Sequence, residues 1–126
     1  MPIEYEVDRA RKLIRTRCVG ATVLSQVLQH FADLRADTSL PVQLHVLLDL
    51  SELSTAPDRE RLRAVVHEVK ALGSDRRWGA LAIVARSDLL FGMSRIFGIF
   101  VEDSFTNTGV FRKIEEAETW LKTQGV

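Results

Sequence analysis

The side chains able to act on a substrate are few, and their spacing assembles no reaction centre. His30, His45 and His67 are scattered, with no His-Glu-x-x-His, no paired-histidine spacing for a metal and no Gly-x-Ser-x-Gly elbow for a nucleophile. Cys18 is the one cysteine, so no intrachain disulfide and no multi-cysteine metal site can form. Arg17 next to it would lower a thiol pKa only from the same face, and strand alternation points neighbours to opposite faces. The expectation is therefore a protein with no catalytic constellation, no metal site and no cofactor. A polar group does collect where two apolar runs end: Asp49, Ser51 and Ser54 after one, Arg86 and Ser87 after the next. In parallel α/β sheets such strand ends are where ligands bind, and helix N-termini there offer N–H groups to an anion. Arg86 beside Ser87 is thus a candidate holder of a phosphate or carboxylate. The plainer alternative pairs Arg86 with Asp49 or Asp88 and leaves Ser87 as a helix cap, and the absence of a glycine-rich loop favours it.

The most informative segment is apolar. From Asp88 to Val101 the chain reads Asp-Leu-Leu-Phe-Gly-Met-Ser-Arg-Ile-Phe-Gly-Ile-Phe-Val, with Arg95 the only charge after the opening acid. As a helix it projects Leu89, Met93, Ile96 and Phe100 on one stripe, expected to cover the sheet. Leu90, Phe97 and Val101 form a second stripe, with Phe91 and Ile99 elsewhere. An ordinary surface helix keeps a polar half. Leu90, Phe91, Phe97, Ile99, Phe100 and Val101 are therefore candidate contacts for a second copy of the chain, another protein, a small lipophilic ligand or a bilayer surface. Complete burial inside the monomer is the competing explanation.

The elements that position these residues follow from periodicity. The chain has 126 residues, 46% apolar and 27% charged, with 17 basic and 17 acidic residues and no net charge. Its mean hydropathy is +0.02. That composition suits one globular domain and excludes intrinsic disorder. Net neutrality provides no field to gather nucleic acid. The bases of the opening segment (Arg9, Arg11, Lys12, Arg15, Arg17) and of a later helix (Arg59, Arg61, Arg63) interleave with acids and lack aromatic platforms, so both sets are expected on solvated faces. The start of the chain carries no basic-then-apolar signal, and no run is long enough to span a bilayer, so a cytoplasmic protein with at most peripheral membrane contact is expected.

Ile3, Tyr5 and Val7 alternate with acids, a polar turn follows, and Leu13 to Val19 makes the second strand of a hairpin. Thr22 is placed to cap a helix carrying Val27, Phe31 and Leu34. Leu44–Leu50 is an apolar run suited to a strand covered on both faces, and Ser51 to Ala56 is expected to turn. A helix spans Asp58 to Leu72 and stops at Gly73. Leu81–Ala85 is a second buried strand, and Ser87 caps the apolar helix. A short strand around Val110 and a last helix with Ala117 and Leu121 end the chain. The order ββαβαβα(βα) predicts one α/β domain with a mixed sheet: an N-terminal antiparallel hairpin and parallel core strands covered by helices.

Over nearly its whole length the chain resembles the SpoIIAA-like branch of the STAS fold, named for bacterial anti-sigma-factor antagonists. The residues that carry the likeness are Tyr5-Glu6-Val7-Asp8, Val46-Leu47-Leu48-Asp49-Leu50, Ala82-Ile83-Val84, the helix after Ser87-Asp88, and Val110-Phe111-Arg112 with Glu116-Ala117 and Trp120-Leu121. The resemblance implies a non-enzymatic regulatory or protein-interaction module. In the sporulation-type members a serine opening the helix after the second core strand is phosphorylated; the matching position here is Asp58, which is no serine, and Arg59-Glu60 replaces the usual Ser-Gly. SpoIIAA-like proteins are similar in topology to CRAL-TRIO lipid carriers. That similarity implies an alternative, a carrier or sensor of a small lipophilic ligand with the apolar helix as lid or membrane contact.

Overall fold

The computed structural model describes residues 2–73 and 77–126. The alternating start forms β1 (Ile3–Asp8) and β2 (Leu13–Gly20), paired antiparallel with Tyr5 opposite Thr16 and Val7 opposite Ile14. Asp8 tightens the turn by accepting the Arg11 N–H at 3.2 Å, and Lys12 takes a left-handed conformation at φ 52°. The chain continues as α1 (Leu24–Ala36), β3 (Gln43–Leu53), α2 (Arg59–Leu72), β4 (Arg77–Val84), α3 (Asp88–Phe100), β5 (Asn107–Phe111) and α4 (Ile114–Thr123).

The five strands lie in the order β1-β2-β3-β4-β5, and every pair after the hairpin is parallel. This is the mixed sheet the element order predicts. Each parallel step advances in one direction, and right-handed crossovers then place α1, α2 and α3 on one face. Their buried residues, Phe31, Val69 and Phe97 among them, share a core with Ile14, Leu44, Leu81 and Ile83. The opposite face is closed by α4, whose Ala117 and Leu121 pack on Leu13, Leu47, Ala82 and Val84. Arg11 and Arg15 reach from the hairpin to Glu118 of α4, and Arg17 pairs with Glu52, so part of the early basic cluster is tied to acids.

Three local expectations are corrected. Thr22 does not cap α1: Val23 holds that position, and its N–H donates to Gln26 Oε1 at 2.9 Å. Thr22 is buried instead, for a reason given below. The expected turn from Ser51 begins later, because β3 runs to Leu53 by pairing with Gly20. The strand expected from Leu81 starts at Arg77, and short-range periodicity misses its first half because a bulge interrupts the register between Leu44 and Val46. There, Gly79 and Ala80 share the space opposite His45, whose ring Nδ1 accepts the Ala80 N–H at 2.9 Å. A Cβ on Gly79 would stand 2.2 Å from that nitrogen, so only glycine fits under the ring. Gly73 stops α2 as expected but at φ −65°, an ordinary helical value. Its lack of a Cβ matters for packing, since the Trp78 ring lies 3.2 Å from where one would be.

Candidate functional site: an apolar cavity under the second helix

Val46, Leu48 and Leu50 project from the middle of the sheet toward α2. The central strand of a covered sheet is normally sealed, and protein interiors are close-packed. These three residues are nevertheless only half-buried, as are Leu62 and Val65 on the facing side of α2. The helix is held at one end. Val69 and Leu72 near its C-terminus are buried, and the Val69 carbonyl accepts the Trp78 indole N–H at 3.1 Å. Leu62, Val65 and Val66 of its N-terminal half are only partly buried against the same core. The space left between the sheet and α1, α2 and α3 is a cavity of about 180 Å³, with a lining that is almost wholly apolar. Trp78, stacked on Phe105 at 5.4 Å, lies at its inner end, and Leu53, Pro57 and Arg61 line it beside the carboxyl end of β3.

Arg61 is the one charged side chain among the described residues of this wall. It stands one, two and three turns from Val65, Val69 and Leu72, so it faces inward while Arg59 and Arg63 are exposed. This corrects the expectation that all three arginines occupy a solvated face. The Arg61 Nη1 donates to Thr22 Oγ1 at 3.3 Å, which accounts for the buried threonine. Its Nε is buried with no partner among the described residues. The other titratable groups in the wall are neutral: burial pushes the Cys18 thiol up to about 11, with the Asp49 charge adding to it, and burial holds His30 below its usual value of 6.5 despite Asp33.

The apolar candidates of α3 divide among several places. Leu90 and Phe97 line the cavity, and Val101 is fully buried behind them. Phe91 lies under the Arg112 guanidinium, 4.2 Å from its centroid, and with Ile99 borders a shallower cleft of about 370 Å³ along β5. Phe100 is 56% exposed. The two stripes are largely exchanged relative to expectation: Leu90, Ser94, Phe97, Gly98 and Val101 face the core, while Leu89, Ile96, Ile99 and Phe100 face outward, and of the expected inward stripe only Met93 lines the cavity. Ser94 and Gly98 are buried on the inward side, and Gly98 packs beside Thr108 of β5. A stripe counted from large apolar residues alone omits both.

The polar strand-end candidates are satisfied locally and not gathered around a shared point. Asp49 Oδ1 accepts the Ser51 N–H at 2.9 Å, the Ser54 N–H donates to the Gly20 carbonyl, and Ser87 Oγ caps α3 by accepting from Leu90 N at 3.1 Å. The expected pairing of Arg86 with an acid is replaced by one from the residue that follows β5: Arg112 pairs with Asp88 at 2.8 Å and donates to the Arg86 carbonyl at 3.0 Å. Asp58 is the N-cap of α2, accepting the Arg61 N–H at 2.8 Å. Among the described residues no three His, Cys, Asp or Glu side chains gather as metal ligands, and no helix is long and apolar enough to cross a membrane.

The histidines carry a pH dependence. Burial, and for His45 also the Lys12 charge, lowers the pKa of His30 and His45 below 6.5. Above that value both are neutral in folded and unfolded chains alike. As pH falls through it, the unfolded chain takes up protons that the folded one resists, so stability declines from about pH 6.5 downward. The urea midpoint is expected to be lower at about pH 5.5 than at about 7.5. His45→Asn, whose Oδ1 can still accept from Ala80, should narrow the difference. A wild-type midpoint that rises on acidification would contradict the assignment.

The topology and the two faces of the sheet define a SpoIIAA-like fold of the STAS type. The chain superposes over 94% of its length, and over 91% of the other, on the crystal structure of an uncharacterized protein from the DUF3478 family with a SpoIIAA-like fold from Shewanella loihica PV-4, with a TM-score of 0.65 and 18% identity. At that identity the likeness is one of fold. No family model matches the chain, and no curated protein matches it.

Proposed function

We propose that this chain is a non-enzymatic STAS-like module that binds a small lipophilic molecule in the cavity beneath α2, as a carrier or sensor. The observation that carries the reading is the partial exposure of Val46, Leu48 and Leu50, which line an apolar cavity in the middle of a covered sheet. Apolar surface left in reach of water at that depth is unfavourable by roughly 25 cal/mol per Å², which an apolar occupant would recover. Pockets of this kind, apolar with one or two convergent polar groups, are the usual form of a small-molecule site. A neutral dye that fluoresces in apolar surroundings tests it. Saturable uptake at one dye per chain, reversed by dodecanol, is expected; no uptake would refute the proposal.

A second reading has its own support. Leu89, Ile96, Ile99 and Phe100 are 64%, 50%, 64% and 56% exposed on one side of α3, an apolar stripe suited to a protein surface or a second copy. In this reading the module acts through the outer side of α3, whose other side walls the cavity.

A further inference from the structure

The geometry points to a single-chain aliphatic carboxylate as the cavity's ligand, its head group held by Arg61 and Thr22 and its chain running along α2 toward Trp78. The inference rests on the proposal that the cavity binds a lipophilic molecule, and it adds the chemistry of the head.

Three observations converge on Arg61. Its Nε is buried at the cavity wall without an acceptor among the described residues, and buried donors are rarely left unpaired. It is the one charged side chain among the lining residues described, and among the described residues no carboxylate forms an ion pair with it: Asp58 at the head of the same helix accepts its backbone N–H and not the guanidinium, and the adjacent Glu60 is exposed. It also sits in the first turn of α2, where the helix dipole favours an anion and disfavours a cation. An anionic oxygen delivered from the cavity would satisfy all three conditions. The planar two-oxygen head of a carboxylate suits an arginine edge, which donates two roughly parallel N–H groups. Thr22 Oγ1 accepts from Nη1, leaving its own O–H free to donate to the same head. A doubly charged phosphate would bring a second negative charge into a wall holding no second cation, and an unpaired buried charge is costly.

The dimensions set the chain. Arg61 and Val69 are eight residues apart on α2, about 12 Å of helix axis. An extended chain advances about 1.2 Å per bond, so the path from Arg61 to the Trp78 indole beside Val69 takes on the order of ten bonds. The volume agrees, since about 180 Å³ of such space corresponds to on the order of ten waters, and a methylene needs about as much room as a water.

Competition against the neutral dye with dodecanoate, dodecanol and dodecyl phosphate tests the assignment. Dodecanoate is expected to bind wild type about tenfold or more tighter than dodecanol, and tighter than dodecyl phosphate. Arg61→Met should abolish the carboxylate's advantage while leaving dodecanol unchanged. Equal affinity of wild type for dodecanoate and dodecanol, or a preference for the phosphate, would overturn the head-group assignment and leave the cavity reading intact. Failure of all three to bind would overturn both. The wild-type ranking decides even if Arg61→Met does not fold.

Discussion

Val65→Phe is expected to stabilise the free protein and to abolish lipophilic binding together. Val65 is half-buried, faces the cavity and lies one turn from Arg61. In a filled core a larger residue forces off-rotamer packing that costs about 1–3 kcal/mol. Here the added carbons enter existing space and bury apolar surface, for a gain of about 1 kcal/mol. The urea midpoint should therefore rise, while dye and dodecanoate affinity fall by at least about tenfold. A lower midpoint with unchanged uptake would mean that α2 already packs tightly and that binding occurs elsewhere.

The second large effect separates the two sides of α3. Phe97 is 7% exposed and walls the cavity, whereas Phe100 is 56% exposed on the outer stripe. Phe97→Asp removes a buried ring and buries a carboxylate, a loss of about 3–5 kcal/mol before the charge is counted. Against a typical total of about 5–15 kcal/mol, a substantial unfolded fraction should be visible by circular dichroism and urea titration. Phe100→Asp should leave stability within about 0.5 kcal/mol. If the outer stripe joins two copies, sedimentation of wild type will show a dimer that Phe100→Asp dissociates. Equal stability of the two variants would contradict the assignment of faces.

The element order, the antiparallel hairpin and the parallel core were legible because each rests on local periodicity: the Ile3-Tyr5-Val7 alternation, the unbroken Val46–Leu48 run, the Phe31–Leu34 arc. The faces of α3 were not. A helix with large apolar residues on every side gives periodicity nothing to discriminate, and the buried side includes Ser94 and Gly98, which a count of large apolar residues omits. The β4 bulge escaped because it is a relation between His45 and a strand thirty-five residues away. Arg61 left a signal that the surrounding charge obscured: among Arg59, Arg61 and Arg63 it alone shares a helical stripe with Val65, Val69 and Leu72. The cavity itself depends on the distance between a helix and a sheet, a tertiary quantity that no residue spacing encodes.

Quenching of Trp78 by ω-bromododecanoate tests the central claim most directly. Trp78 is at the inner end of the cavity, and Trp120 packs on the other face of the sheet beside Phe111. In Trp120→Phe protein, saturable quenching at one ligand per chain is predicted, with its loss in Val65→Phe. No saturable quenching of Trp78, or equal quenching of Trp120 in Trp78→Phe protein, would contradict it.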